Sequence, residues 1–173
     1  MFDLEKAIEI LERTPRTLEQ LLDGLSSQWI MTNEGPGTWS PYDVVGHLIH
    51  GEKTDWIPRI LIILSEKEPK TFTPFDRFAQ EKNSHGKTIN ELLTAFKNLR
   101  LDNLNTLKAQ NISSEDLKKT GIHPDFGLVT LAQLLATWTV HDLNHLSQIS
   151  RVMARQYSSD VGPWTPYLKI LRG

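Results

Sequence analysis

The sequence predicts an all-α protein, a four-helix bundle. Three observations carry that prediction. Apolar residues recur at helical spacing in four separate segments, three of which open on a serine or threonine cap with an acidic residue or glutamine three positions on. No segment alternates apolar and polar residues as a half-buried strand would. A chain of 173 residues suits a single domain, residues 1–173, with a sizeable core.

The first helix is marked by Leu4, Ala7, Ile8, Leu11, Leu18, Leu21, Leu22 and Leu25, with Asp3 as N-cap and Gly24 as the end. Pro15 lies inside this rhythm, and because the rhythm resumes in phase a kink is expected there rather than a stop. The second begins in GTWSPYDVVGHL: Ser40 caps, Pro41 takes the first helical position, Asp43 follows three after the cap, and Trp39 staples onto Val44. It should continue to about Leu64 with a second kink at Pro58. The loop that follows includes PKTFTPFDRFAQ, whose Phe72, Phe75 and Phe78 predict an ordered cover over the domain. Thr88 with Glu91 opens the third helix, which continues through Leu107. NISSEDLKKTGIHPDFGLV is a connection punctuated by Pro124 and two glycines. Thr130 with Gln133 opens the fourth helix, which runs to about Gln156, some 26 residues or about 39 Å. The two long connections leave room for crossovers.

Composition removes several function classes. With 19 Lys+Arg against 21 Asp+Glu and no dense basic run, the chain lacks a phosphate-binding surface, so nucleic acid is not an expected partner. There is no cysteine, hence no disulfide framework, thiolate metal site or thiol nucleophile, and any metal must be held by His, Asp or Glu. MFDLEKAIEILER carries charges where a signal peptide needs an apolar core, and the apolar run from Ile57 to Leu64 is far below spanning length; a cytoplasmic protein without membrane contact is expected.

The fourth helix contains HDLNHLSQI, residues 141 to 149. Four residues advance a helix by about 6 Å and about 400°, so His141 and His145 face the same way one turn apart, a spacing that suits two ligands of one metal ion. A third ligand must come from another helix. In GHLIHGE, residues 46 to 52, His47 and His50 share a face with Asp43 one turn before, and spacing alone does not choose between them.

TPRTLEQLLDGLSSQW at 14–29, WSPYDVVGHL at 39–48, PFDRFAQ at 74–80 and LLATWTVHDLNHLSQISRVMARQY at 134–157 make the chain resemble the DinB/YfiT-like superfamily over nearly its whole length. The resemblance implies a four-helix bundle of up-up-down-down topology, often dimeric, with a metal held by three histidines. Carried onto this sequence, those are His47, His141 and His145. It also implies a loose range of functions: transferases and isomerases that use low-molecular-weight thiols such as bacillithiol or mycothiol, and proteins described only provisionally as metal-dependent hydrolases or as damage-inducible.

Three neutral imidazoles on a divalent cation leave a position open, as in a catalytic rather than a structural site. Zn²⁺ suits that donor set, and Ni²⁺, Fe²⁺ and Cu²⁺ also favour imidazole. The expected function is therefore metal-dependent chemistry on a small-molecule substrate, with either a thiol cosubstrate (S-transferase) or a water (hydrolase) activated. The alternative is a non-catalytic bundle in which the metal ties two helices. Asp43, His50 and Glu52 are the candidates for a base. Gln148 shares the ligand face and is read either as a hydrogen-bonding partner at the site or as a polar residue of the bundle edge. The residue after His141 is Asp142, so there is no H-E-x-x-H metalloprotease motif, and Asp142 is expected to orient a helix or a histidine. Trp138 reads as core, Arg151 and Arg155 as solvated charges or a carboxylate clamp, and His85 and His123 as ordinary polar residues.

Overall fold

A computed structural model describes residues 2–76 and 79–172. Helix α1 (Leu4–Leu22) starts where Asp3 accepts the Lys6 N–H at 3.1 Å. Pro15 is buried inside it and the helix runs on without a break. The proline has no N–H for the carbonyl of Leu11 four residues back, and that carbonyl instead accepts Arg100 Nη1 at 2.8 Å. A short α2 (Ser27–Met31), absent from the sequence expectation, interrupts the following connection.

The second predicted helix is two. α3 (Pro41–Thr54) carries the expected capping box of Ser40 and Asp43, and α4 (Trp56–Leu64) follows after Asp55, whose ψ of −65° at φ −107° breaks the ladder. Pro58 explains the position of the break: its ring collides with the carbonyl four residues earlier, that of Thr54. The chain then crosses over. Residues 70–72 dock on a hairpin, with Phe72 N–H donating to the Ile122 carbonyl at 2.9 Å, and α5 (Ala79–Ser84) packs against α3. Phe72 is buried and Phe75 half-buried, as a cover requires; Phe78 lies outside the described residues.

α6 (Ile89–Ala109) and α7 (Leu131–Arg155) open on the Thr88–Glu91 and Thr130–Gln133 boxes. Between them the structure corrects the expectation of a plain connection: β1 (Thr120–His123) and β2 (Gly127–Thr130) form an antiparallel hairpin, Thr120 opposite Thr130. Strands of four residues are too short for alternation to show. The turn chemistry was there in PDFG, with Gly127 at φ 71°. Gly121 matters for docking, since a Cβ there would run into the Phe72 ring.

Two apolar clusters fill the bundle. One holds Ile8, Leu11, Ile60, Leu107 and Leu134, the other Leu18, Leu22, Val44, Leu92 and Ile149. Their membership gives the helix directions: α1 and α7 run from the first cluster to the second, while α3–α4 and α6 run from the second to the first. The order is up-down-down-up, not the up-up-down-down that the resemblance implied. The physical reason is the placement of the single crossover. Residues 65–88 lead from the end of α4 back along the bundle, so α6 starts beside the start of α3 and lies parallel to it, whereas the other two connections, α1 to α3 and α6 to α7, join antiparallel helices that sit diagonally across the bundle.

A polar layer separates the clusters. Arg100, 1 % exposed, donates to Asp142 Oδ2 at 2.6 Å and Glu52 Oε1 at 2.9 Å. Asn103 Nδ2 donates to Glu52 Oε2 at 2.9 Å and Trp138 Nε1 to Glu52 Oε1 at 3.1 Å. On the surface Glu34 pairs with both Arg151 (2.7 Å) and Arg155 (3.1 Å), so those arginines clamp a carboxylate of the chain itself.

Candidate metal centre

Capping at Ser40 sets the phase of α3, which turns His47 inward; the Thr130 box does the same for α7 with His141 and His145. The structure brings these three together. Nε2 of His141 lies 3.1 Å from Nε2 of His47 and 3.1 Å from Nε2 of His145, and the three possible ligand atoms all fall within 4.8 Å of one another. A tetrahedral ion with Zn–N of about 2.1 Å spaces its nitrogens about 3.4 Å apart, close to the observed separations.

The protonation states fit a cation as well. His145 Nδ1 donates to Gln148 Oε1 at 2.8 Å, which puts the proton on Nδ1 and leaves the Nε2 lone pair facing the cluster. Burial pushes His141 down to about 3, helped by the neighbouring histidines and Arg100; burial lowers His145 too, against the Gln148 bond and Asp142. Two or more facing lone pairs repel unless a proton or a metal ion lies between them, and in neutral rings the single Nε2–H of His141 would serve only one neighbour. A divalent cation satisfies all three at once.

Aromatic rings hold the imidazoles in place. Trp39 lies 4.7 Å from the His47 ring, Phe75 meets His47 edge-on at 5.5 Å, and Trp56 meets His141 edge-on at 5.1 Å. Trp56 in turn stacks on Trp138 at 5.6 Å, so Trp138 is core and backs the wall rather than forming it.

The other sequence candidates are placed as follows. Asp43 accepts the Ser40 backbone N–H at 2.9 Å and hydroxyl at 2.6 Å, fully engaged in the cap. Glu52 is buried in the Arg100 layer. His50 is buried against Phe75, 4.8 Å between rings, and burial lowers its pKa against the pull of Asp76. Gln148 is joined to His145. None of Asp43, His50, Glu52 or Gln148 borders the cavity that opens beside the histidines. His85 is exposed, whereas His123, read as an ordinary polar residue, borders that cavity.

The cavity has a volume of about 720 Å³. Trp39, Trp56 and Phe75 line it near the histidines, and Asp55, Arg59 and His123 border it as well. Sequence reasoning missed the last three. Arg59 had a readable signal, being the one charge in the apolar run WIPRILIIL; His123 had none, because only the hairpin carries it to the site.

Comparison with known proteins agrees with the fold. The chain is 24 % identical over 152 residues to YfiT of Bacillus subtilis, named provisionally as a metal-dependent hydrolase, with 87 % of this chain and 84 % of that protein covered. It is 27 % identical over 150 residues to a protein of Bacillus cereus strain AH820 with the same designation, covering 86 % and 84 %. The solved structure of the Bacillus subtilis protein, described as a four-helix bundle of unusual topology, superposes with a TM-score of 0.75 at 23 % identity over 88 % of this chain and 87 % of that one. A DinB-like protein of Bacillus cereus superposes with a TM-score of 0.59 at 18 % identity over 91 % and 95 %. The family model for the DinB superfamily matches residues 10–149, the span from α1 through the three histidines, and the chain belongs to that superfamily.

Proposed function

We propose that the protein is a metal-dependent enzyme that binds one divalent cation through His47, His141 and His145 and acts on a small molecule held in the adjoining cavity. The observation that carries this is the convergence of three Nε2 atoms at the wall of a cavity of about 720 Å³; a purely structural ion needs no such opening. The provisional naming of the relatives as metal-dependent hydrolases supports it.

Held by His47, His141 and His145, a divalent cation would supply Lewis acidity, which would serve hydrolysis if a water were activated and transfer to an electrophile if a thiol were. The chain's own residues supply the rest. Gln148 holds the His145 tautomer, Trp39 and Trp56 exclude water from the histidines and offer an apolar surface, and the Arg100 layer fixes α3 and α7 relative to each other. We take zinc as the ion best suited to the donor set, with nickel or iron as substitutes, a low-molecular-weight thiol as the cosubstrate of the transfer reaction, the cytoplasm as its setting and a homodimer as its assembly. No described helix is long and apolar enough to cross a membrane.

The test is metal content per chain in protein purified without a histidine tag. We expect about one divalent ion in wild type and its loss in His47→Ala and in His145→Ala. Absence of metal from wild type after reconstitution with Zn²⁺ and Ni²⁺ would overturn the reading.

A further inference from the structure

The cavity is not uniform. Its wall beside His47 and His141 is aromatic, but Asp55, Arg59, His123 and Asp125 also border it, Arg59 being the one lysine or arginine among the described lining residues. Arg59 is the only charged residue of α4 and is 6 % exposed. Among the described residues only its Nη2 is engaged, by Asp55 Oδ1 at 2.6 Å and the Thr73 carbonyl at 3.4 Å. Nε is buried without a partner, and the guanidinium carbon lies 5.2 Å over the Phe72 ring. A guanidinium has five N–H donors and a buried one left short of acceptors is costly, so a surface-type i, i+4 pair does not account for its burial here. What this arrangement does provide is a cation held at one corner by a carboxylate and on one face by a ring, with donors to spare beside a cavity. Arg59 stands three residues after Trp56, about 4.5 Å along the helix, and the Trp56 ring touches His141. A small molecule gripped at Arg59 can therefore lie along Trp56 and present its other end to the histidines.

We propose that Arg59, held by Asp55, is the anion-binding group of the cavity, and that the protein acts on small molecules with an apolar, preferably aromatic, body and a carboxylate. This deepens the reading of the cavity as a substrate site and rests on it. A carboxylate suits the guanidinium by charge and by planar shape. Asp55 competes with it at one corner of the guanidinium, through Nη2. Burial and Arg59 lower the pKa of His123, so it adds no fixed charge that would hold the anion elsewhere.

The probes are 3-phenylpropionate and 3-phenylpropanamide, nearly identical in shape and differing in charge, titrated against metal-loaded and chelator-treated protein by calorimetry, with the quenching of Trp39 and Trp56 fluorescence as a second readout. We expect the acid to bind wild type about tenfold or more tightly than the amide, in both metal states. In Arg59→Gln the ratio should fall to near one with metal content unchanged, and Asp55→Asn should bind the acid more tightly than wild type. Equal affinity of wild type for the two probes, including no binding of either, overturns the proposal. So does an acid preference that survives in Arg59→Gln but vanishes on chelation, because the metal ion would then be what receives the carboxylate. Should Arg59→Gln fail to fold, Asp55→Asn decides, and no tightening there overturns the proposal. Failure of the enzyme reading is separate: it shows as absence of bound metal, and the acid preference of metal-free protein still tests Arg59.

Discussion

His145 is prepared as a ligand by one neighbour. The Gln148 carbonyl oxygen, 2.8 Å from Nδ1, orients the ring and keeps its proton away from the cluster. Gln148→Ala is therefore expected to weaken metal binding about tenfold, measured by competition with a chromophoric chelator, with the fold retained. His141 shows the cost of gathering imidazoles. Burial first, then His145, His47 and Arg100, hold its pKa near 3 against the ordinary imidazole value of about 6.5, so metal-free folded protein keeps it neutral where the unfolded chain protonates it. The unfolded state binds more protons between those two values. Stability of the metal-free protein should thus rise with pH from about 3 to about 6.5 and be lost on acidification, with up to about 1.4 kcal/mol per pH unit from this residue. Denaturant melts of chelator-treated protein at about pH 5 and about pH 7 check this, and equal midpoints would contradict it.

At the scale of elements, Arg100 ties three helices and a fourth backbone together: Glu52 from α3, Asp142 from α7, and the Leu11 carbonyl of α1. Arg100→Met should strand two buried carboxylates and cost about 3–5 kcal/mol in a urea melt, far more than loss of the exposed Lys97–Glu19 pair, for which about 0.5 kcal/mol is expected. The helices themselves were legible because their starts are local: Ser40, Thr88 and Thr130 each bond within three residues, and no distant contact is needed to read them. The same holds for His141 and His145, whose common face follows from helical pitch. His47 against His50 was not legible from spacing, since both are buried on α3 and only the facing helix distinguishes them. The break at Asp55, the hairpin, and the approach of Arg59 and His123 to one cavity depend on contacts far along the chain, which periodicity does not record. The up-down-down-up order belongs with these, for it depends on which connection makes the crossover.

For the molecule as a whole, fold and site are separable. The two apolar clusters lie on either side of the histidine and arginine layer, so the bundle has a core that owes nothing to an ion. Chelation should leave the far-ultraviolet circular dichroism unchanged while lowering the melting temperature by the linkage of a bound ligand, about 4 kcal/mol at an ion concentration 1,000 times its dissociation constant. Collapse of the helical signal on chelation would instead mark a structural ion.

The buried layer has a further consequence when counted as charge. One guanidinium faces two carboxylates, Glu52 and Asp142, and the carbonyl that Pro15 frees on Leu11 adds only a dipole. The carboxylates of this layer therefore outnumber its guanidinium by one, and one of them, Asp142, follows His141 in the chain. Arg100 opposes positive charge at His141 and Asp142 favours it at His145, so the two sides of the layer act on the histidines in opposite senses.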